Sequence, residues 1–327
     1  MKDRILELLR QESGYLSGQE MSTLLGVSRA AVWKAVEALR KEGYTIDSAP
    51  NRGYHLDAPT GRLSAREIAA RLDGHPWAEL VQVLDSVDST NNLAKTLAAQ
   101  GAPAGTVIVA DSQTGGRGRM GRSFVSPPGV GVYLSVILRP EAPPEELMHL
   151  TCAVAEVLCD GIEVASGLRP GIKWTNDLVS GGRKLCGILT ELSLEAESGH
   201  VQYAVVGAGV NCDQTLSDFP PEIRDMAGSL SMLTGKAVSR NTLAAEMIRA
   251  LSRLDGDLVG NRQEWMDRYR RDCVTIGRAV SVSRAGETRW GQAVDVDDRG
   301  ALLVDFGQGP EAVQSGEVSV RGMYGYV

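Results

Sequence analysis

The residues best suited to chemistry lie in one short stretch, residues 113–124, in which four glycines alternate with three arginines. Glycine lets backbone amides approach an anion closely, and Arg117, Arg119 and Arg122 add fixed charge in a geometry suited to phosphate or carboxylate. No acidic residue occurs in positions 112–140, so the local charge is strongly positive. The stretch therefore predicts a loop that binds phosphate. Taken alone, it fits equally well a flexible nucleic-acid-binding segment or a plain surface loop.

Other polar residues follow predicted strands, where α/β proteins commonly bind ligands. They are Ser89, Thr90, segment 173–177, Lys184 and Asn211. The chain has no Walker loop and no GxSxG motif, and none of its four histidines falls in these segments, which argues against a hydrolytic triad. Cations around a glycine loop, without a nucleophile from the protein, fit transfer chemistry on a phosphoanhydride. Each residue also has a structural alternative, such as a helix cap, a solvated charge or a turn.

Predicted strands and helices place these residues in one α/β domain. A strand at 81–84 precedes a helix that begins near residue 88 and runs to Ala99, and strands at 106–110 and 130–138 flank the glycine-arginine loop. The other predicted elements are a strand ending at 172–177, a hairpin around 180–183, strands at 184–191 and 203–206, and helices at 64–72, 147–164, 243–254 and 263–270. A second capping-box pattern, at residues 64–67, opens the first of these helices.

The first 60 residues predict a helical unit followed by a hairpin. A capping-box pattern at 17–20 opens a second helix, and a glycine turn separates it from a third helix capped by Ser28. Alternating segments at 44–48 and 53–56 predict the hairpin, which makes a winged helix-turn-helix. The outer face of the third helix predicts DNA contacts by Ser28, Arg29, Ala30, Trp33 and Lys34. Residues 1–62 hold nine basic and eight acidic side chains, so a protein-contact role stays open.

After residue 272 the predicted strands are short and closely spaced, which indicates a small β-barrel. These strands lie at 279–282, 291–296, 301–305 and 317–321. A chain of 327 residues is long enough for three domains. We predict them at residues 1–60, 61–272 and 273–327, with a polar linker at 57–61.

Composition excludes several classes of protein. A net charge of −7 and a pI near 5.3 argue against non-specific nucleic-acid binding by the whole molecule. The five cysteines are widely spaced and form no CxxC pair, which predicts reduced thiols and no zinc site. No apolar run approaches the roughly 18 to 20 residues that span a bilayer. The N-terminus is amphipathic and carries acidic residues, unlike a signal peptide, so we expect a cytoplasmic protein without membrane partners.

Seven motifs occur in a fixed order along the chain. They are Asp88-Ser89-Thr90-Asn91; Gly116-Arg117-Gly118-Arg119 with Gly121-Arg122; Ser126-Pro127; Tyr133-Leu134-Ser135; Lys173-Trp174 with Asn176-Asp177; Arg183-Lys184-Leu185 with Gly187-Ile188-Leu189 and Glu191; and Gly207, Gly209 and Asn211. In this order they resemble the motifs of biotin protein ligases. Together with the predicted winged helix and barrel, the whole chain resembles the bifunctional bacterial form, a ligase and biotin-operon repressor.

The resemblance implies an α+β chain with three parts. They are an N-terminal winged helix-turn-helix, a central mixed-sheet α/β catalytic domain of the biotin/lipoate ligase type, and a small C-terminal SH3-like β-barrel. It also implies a two-step reaction. Biotin's carboxylate attacks the α-phosphate of MgATP, giving biotinyl-5′-AMP and pyrophosphate. A lysine of a biotin carboxyl carrier protein, from acetyl-CoA carboxylase or another biotin-dependent carboxylase, then takes the biotin. The adenylate would favour a homodimer that binds operator DNA.

The same resemblance implies roles for individual residues. Lys184 and Arg119 would act at the reacting groups. The implied biotin-binding residues are Ser89, Thr90, Asn91, Gln113, Arg117, Gly118, Arg119 and Lys184. The implied ATP or adenylate contacts are Arg119, Arg122, Phe124, Lys173, Asn176 and Asn211. Asn176 and Asp177 would contact Mg²⁺.

Three positions depart from the family pattern. Met120 stands where the bacterial repressor form has another arginine, Phe124 replaces a tryptophan, and Thr175 replaces a proline. Two other functions stay open. One is a lipoate or octanoyl transferase of the same superfamily, although such a substrate would not need the glycine-arginine loop and the winged domain. The other is a transcription regulator whose α/β domain only senses a ligand, although the intact chemical residues argue against it.

Overall fold

The chain forms two compact units, Met1–Arg62 and Leu63–Val327. The computed structural model describes residues 1–11, 14–41, 44, 46–49, 52–56, 61–195, 197–256, 258–284, 287–314 and 319–322. The predicted linker lies outside the described residues except for Gly61. The domain limits predicted at residues 60 and 272 stay predictions, and the second of them falls inside one compact unit.

The first unit consists of three helices and a hairpin. Its elements are α1 (Lys2–Gln11), α2 (Gly18–Leu25), α3 (Arg29–Lys41), β1 (Ile46–Ala49) and β2 (Gly53–Leu56). Ser17 and Glu20 form the predicted capping box, in which each side chain accepts from the other residue's backbone N–H. Gly26 ends α2 with a φ of +65°, which favours glycine. Met21 and Leu39 pack in the apolar core between the helices. The helix-turn-helix prediction is confirmed.

A seven-stranded mixed sheet forms the centre of the second unit. Its strands are β3 (Val81–Leu84), β4 (Val107–Ala110), β5 (Gly131–Leu138), β6 (Gly171–Lys173), β7 (Asp177–Ser180), β8 (Arg183–Leu194) and β9 (Val201–Asn211). Their order is β3-β4-β5-β9-β8-β7-β6. Only the β3–β4 pair among these is parallel, and the other neighbours are antiparallel. This mixed sheet confirms the predicted central architecture.

Helices cover both faces of this sheet. They are α4 (Ala65–Leu72), α5 (Thr90–Ala99), α6 (Leu150–Ser166), α7 (Leu230–Thr234), α8 (Arg240–Ser252) and α9 (Arg262–Asp272). On β4, Val107 and Val109 join the core formed with α6 and α8, whereas Ile108 joins the core under α5. Continuous burial of this strand follows from its position between two layers. Among the described helices, none is long and apolar enough to cross a membrane.

The C-terminal strands form a five-stranded antiparallel sheet. They are β10 (Ala279–Arg284), β11 (Glu287–Val296), β12 (Leu302–Asp305), β13 (Pro310–Val313) and β14 (Ser319–Gly322), in the order β13-β12-β11-β10-β14. β13 was missed because three of its four residues are exposed and it starts with proline. The Trp174 indole donates to the carbonyl of Gly300 at 3.0 Å, which ties this sheet to the end of β6. The SH3-like barrel stays a prediction.

The second predicted capping box, at residues 64–67, forms only by half. The Ser64 hydroxyl accepts from the Glu67 N–H at 3.4 Å. The Glu67 carboxylate accepts instead from Asn241 Nδ2 at 3.3 Å and from Arg71. Asn241 Oδ1 in turn accepts from the Ser64 N–H at 2.9 Å. An amide from α8 therefore satisfies the donor that glutamate satisfies in a complete box.

Candidate active site

A small open pocket lies where the start of α5, the glycine-arginine loop and strands β8 and β9 meet. Its wall includes Ser89, Thr90, Asn91, Gln113 and Arg117. The first three come from the segment that opens α5, and the other two come from the loop between β4 and β5. The fold thus brings together five of the residues predicted to bind biotin.

Gln113 fixes the beginning of the loop against α5. Its Oε1 accepts from the backbone N–H of Thr90 at 2.9 Å and lies 3.2 Å from Thr90 Oγ1. Its Nε2 donates to Ser126 Oγ at 2.9 Å, and its backbone N–H donates to the carbonyl of Ser126 at 3.1 Å. Because these contacts join the two ends of the loop, Gln113 has one fixed amide orientation. One of the N–H groups at the start of α5 is satisfied at the same time.

Asn91 forms a buried polar contact at the floor of the pocket. Its Nδ2 donates to Glu191 Oε2 at 2.9 Å and to the carbonyl of Leu189 at 3.3 Å, and its Oδ1 accepts from Ser135 Oγ at 2.7 Å. β9 passes so close that a Cβ on Gly207 would lie 2.0 Å from Asn91 Oδ1. Glycine at 207 is therefore required for Asn91 to occupy this position.

Phe124 packs into the same pocket. Its ring lies against the bare backbone of two strands, since a Cβ on Gly209 would lie 2.5 Å from Phe124 Cε1 and a Cβ on Gly187 would lie 3.1 Å from Cε2. The sequence placed Phe124 with the ATP contacts. In the structure its ring lies on the wall shared with Ser89 and Thr90, and its contact with ATP stays a prediction.

Two cations lie beside the pocket. Lys184 Nζ donates to Asp177 Oδ1 at 2.6 Å and lies 5.9 Å from the centroid of the Phe124 ring. Arg119 Nη1 donates to Asn176 Oδ1 at 2.7 Å. Burial lowers the pKa of Arg119, although Asp177 opposes this shift, and an arginine remains charged at neutral pH. A partly desolvated pair of cations is suited to bind an anion.

The predicted magnesium contacts do not fit a resident metal site. Asp177 Oδ1 faces Lys184 Nζ at 2.6 Å and Asn176 Nδ2 at 3.2 Å, and Asn176 Oδ1 faces Arg119. A divalent ion on these oxygens would meet two positive side chains at hydrogen-bond distance. Within the described ranges, no group of three or more His, Cys, Asp or Glu residues could hold a metal ion. Asn176 and Asp177 hold the cations instead.

Asn211, the predicted adenine contact, lies in a buried hydrogen-bond network. Its Nδ2 donates to the carbonyl of Gly228 at 3.0 Å and contacts that of Lys184 at 3.4 Å. Its Oδ1 accepts from Gln214 Nε2 at 3.1 Å, and the residue is only 5% exposed. Both polar groups of the amide are thus engaged inside the protein. In this conformation Asn211 connects β9 to the segments around residues 184 and 228.

The remaining predicted residues lie around these cations and the loop. Gly118 donates its N–H to the carbonyl of Arg122 at 2.7 Å, and Arg122 is exposed. Lys173 is half-buried at the end of β6 and is the register partner of Asp177 on β7. Met120 has a φ of +55° and is 61% exposed.

The predicted DNA contacts share the exposed surface of α3 and its N-terminus. Ser28 Oγ accepts from the Ala31 N–H at 3.2 Å and caps the helix. The residues predicted to contact DNA, Ser28, Arg29, Ala30, Trp33 and Lys34, are all exposed. Trp33 is 53% exposed, which is unusual for a tryptophan that has no binding partner.

Known proteins resemble this chain along its whole length. Residues 83–211 match the model of the biotin/lipoate A/B protein ligase family, residues 2–55 match an HTH domain, and residues 275–321 match the biotin protein ligase C-terminal domain. The bifunctional ligase/repressor BirA of Bacillus spizizenii is 35% identical over 98% of this chain and 98% of its own length. The chain belongs to the biotin protein ligase family.

Two further biotin protein ligase relatives extend this result. The bifunctional ligase/repressor BirA of Escherichia coli is 30% identical over 98% of this chain and 99% of its own length. The structure of the biotin protein ligase from Aquifex aeolicus in complex with biotin and ATP is 28% identical, with a TM-score of 0.64, and covers 74% of this chain and 98% of its own.

Three features of this biotin protein ligase site were not assigned a role from the sequence. Ser126 and Ser135 occur in quoted motifs, yet only the fold shows that they bond to Gln113 and Asn91. Glu191 ends a sequence motif on β8. Its position in the strand indicates an inward side chain but does not show which residues the side chain contacts. The strand glycines supply the third feature, because close approach of Asn91 and Phe124 requires them.

Proposed function

We propose that this protein is an ATP-dependent, AMP-forming biotin–[biotin carboxyl carrier protein] ligase that also acts as a biotin-responsive transcriptional repressor. One feature of the site carries this proposal. A pocket of neutral hydrogen-bonding groups, around Thr90 and Gln113, lies next to the cations Lys184 and Arg119. Neutral donors and acceptors suit the ureido ring of biotin, and the cations suit its carboxylate and the phosphates of ATP.

In the first step, a carboxylate oxygen of biotin forms a bond to the α-phosphorus of ATP, and the bond to pyrophosphate breaks. Both reactants are negatively charged, so their approach requires positive charge near the forming bond. Lys184 and Arg119 would supply it, with Arg122 and Lys173 as further phosphate contacts. A preorganised charge of this kind contributes about 3 kcal/mol to stabilisation of a transition state.

Hydrogen bonds would hold the ureido ring while this step occurs. Ser89, Thr90, Asn91 and Gln113 are the proposed side-chain contacts, and the backbone of residues 117 and 118 adds donors from the loop. Phe124 supports biotin binding better than adenine binding, because its ring lies on the wall lined by Ser89 and Thr90. Asn211 would contact adenine by exchanging the internal partners of its amide.

In the second step, the amine of a carrier-domain lysine attacks the carbonyl carbon of biotinyl-5′-AMP. A C–N bond forms, the C–O bond to AMP breaks, and the amine loses a proton to solvent. The acceptor is a biotin carboxyl carrier protein of acetyl-CoA carboxylase or of another biotin-dependent carboxylase. The need for ATP supports the cytoplasmic location expected from the sequence.

Magnesium would reach the site with ATP. Mg²⁺ is commonly bound through substrate phosphates with only one or two protein carboxylates. The engagement of Asp177 by Lys184 and of Asn176 by Arg119 argues against a metal that is resident before ATP binds.

Repression would require the first unit and a homodimer. Two copies of α3 related by a two-fold axis can contact two half-sites of an operator. The exposed residues Trp33 and Lys34 support direct DNA contact. Biotinyl-5′-AMP, which is made by the second unit, would favour the dimer and thereby act as corepressor. Sedimentation with biotin plus ATP should show a doubling of mass, and an unchanged mass would contradict this part.

The enzymatic proposal is tested by transfer of biotin to a purified carrier domain. We expect labelling that is detected with streptavidin and that requires both biotin and ATP. Competition with lipoate separates the main alternative, because a lipoate or octanoyl transferase would prefer the other substrate. A regulator that only senses biotin would bind it without releasing pyrophosphate.

A further inference from the structure

Glu191 on β8 lies between the pocket and the glycine-arginine loop. Its Oε2 accepts from Asn91 Nδ2 at 2.9 Å, at the pocket floor. Its Oε1 accepts from Lys95 Nζ on α5 at 2.8 Å and from Arg117 Nη1 at 3.3 Å. Arg117 also donates to Asn92 Oδ1 at 3.0 Å. The two carboxylate oxygens therefore face two different parts of the site.

The contact to Asn91 determines which way the pocket hydroxyls point. Asn91 Nδ2 faces a carboxylate oxygen and the Leu189 carbonyl, two atoms that only accept, so Asn91 Oδ1 must face Ser135. An amide oxygen carries no proton, and the single proton of Ser135 therefore goes to Asn91. Ser135 Oγ also lies in donor geometry 2.8 Å from Thr90 Oγ1, but a hydroxyl has one proton, so this orientation of Asn91 withholds that proton from Thr90.

Thr90 consequently faces the pocket as an acceptor. Its own proton is donated to Gln113 Oε1 at 3.2 Å and stays within the protein, so its oxygen is left to accept from a ligand. If Asn91 were flipped, its Nδ2 would donate to Ser135, and the Ser135 proton would go to Thr90 Oγ1 and compete there with a ligand donor. The Glu191 carboxylate opposes that flip, since it would then face Asn91 Oδ1, another acceptor.

We propose that Glu191 is a positioning residue of the biotin pocket. Its Oε2 fixes Asn91 in the orientation that makes Thr90 an acceptor for a substrate N–H, and its Oε1 holds Arg117 of the loop against α5. The proposal rests on the proposed function only in taking biotin, whose ureido group carries two N–H donors, as the substrate.

The surroundings of Glu191 match a charged acceptor. Burial raises its pKa, but hydrogen bonds from Lys95 and Asn91 and the charges of Lys95 and Arg117 reverse this, so the net pKa is lowered. The carboxylate is therefore ionised at neutral pH and cannot donate. Glutamine at this position has nearly the same shape but can donate, so it would permit both orientations of Asn91.

The first test compares Glu191→Gln with Glu246→Gln. Glu246 is a matched control, because its side chain is 18% exposed and pairs with Arg249 at 2.6 Å, whereas that of Glu191 is 23% exposed. In biotin-dependent pyrophosphate release, we expect E191Q to raise KM for biotin about ten-fold, as expected for weakening a hydrogen bond to a charged group. KM for ATP should stay within about two-fold, as should both constants in E246Q. An unchanged KM for biotin in E191Q overturns the proposal.

A double-mutant cycle tests whether the effect passes through Asn91. In an Asn91→Ala background, adding E191Q should change KM for biotin by less than about two-fold, because the amide that glutamate orients is already absent. A purely structural role of Glu191 would lower Tm without this non-additivity. Equal ten-fold effects in both backgrounds would refute the orientation of Asn91 by Glu191.

Trypsin cleavage without ligands tests the contact to Arg117. Cleavage within residues 117–122 should be at least about three-fold faster in E191Q than in the wild type and in E246Q, since local opening precedes cleavage. An unchanged cleavage rate overturns the loop part of the proposal. This measurement requires no turnover, so it stays informative if the wild type releases no pyrophosphate with biotin. That last result would count against the proposed function instead.

Discussion

Replacing Lys184 with methionine should remove most adenylate formation and leave the fold intact. Lys184 Nζ lies 2.6 Å from Asp177 Oδ1 and 5.9 Å from the centroid of the Phe124 ring, so its charge stands at the edge of the pocket. Methionine keeps the length of the side chain and removes the charge. Loss of one preorganised charge at a developing anion costs about 3 kcal/mol, which slows the step about 150-fold.

The expected effect on stability is much smaller. The side chains of Lys184 and Asp177 are 25% and 17% exposed, and Asp177 also accepts from Asn176. An ion pair with this access to solvent contributes about 1 kcal/mol or less, which shifts the Tm of a unit of this size by about 2–4 °C. A loss of activity about 150-fold cannot then be attributed to unfolding at assay temperature.

Asp177→Asn is the matched control, because it removes the ion pair and keeps the ammonium group. Its rate of pyrophosphate release should stay within about ten-fold of the wild type. If Asp177 were a required magnesium ligand, D177N would lose as much activity as K184M, which would contradict the arrangement of cations described above. Equal rates of pyrophosphate release and equal streptavidin labelling by K184M and wild type would refute the role of Lys184.

Four further changes test other parts of the molecule. Gly207→Ala places a Cβ 2.0 Å from Asn91 Oδ1 and should raise the Kd for biotin, measured by calorimetry, at least about ten-fold. Asp160→Asn should flatten the loss of Tm on acidification. Burial raises the pKa of Asp160, but hydrogen bonds from three arginines lower it to about 2, so its stabilisation is present above about pH 4 and is lost as pH falls toward 2. Lys34→Ala should reduce the salt dependence of binding to a selected DNA fragment by about one unit of slope, whereas Trp33→Ala should weaken binding without that change.

Sequence patterns predict those parts of the fold that depend only on residues close together in the chain. The capping box at 17–20 and the Gly26 turn depend only on adjacent residues, and both form as predicted. The box at 64–67 is incomplete because the Ser64 N–H donates to Asn241, which is distant in sequence but adjacent in space. Propensity cannot report such a partner, because the competing hydrogen bond exists only after α4 and α8 have packed.

The candidate site shows the same division. Residue types and motif order predict which side chains share a pocket, and Ser89, Thr90 and Gln113 do share it. They do not predict how buried amides are satisfied. Asn211 has the residue type of a nucleobase contact, yet its donors and acceptor are used within the fold. Glu191 has the residue type of a surface carboxylate, yet its partners come from α5 and the loop.

Three cations of the site have an acceptor before any substrate binds. Arg117 faces Glu191, Arg119 faces Asn176, and Lys184 faces Asp177. When a substrate anion binds, a cation therefore exchanges its acceptor in the protein for the anion. An exchange of this kind yields little net affinity. Charge that develops on the α-phosphate in the transition state has no counterpart among the protein acceptors. The same cations can thus stabilise the transition state more than the bound substrates, which is the condition for lowering the barrier to adenylate formation.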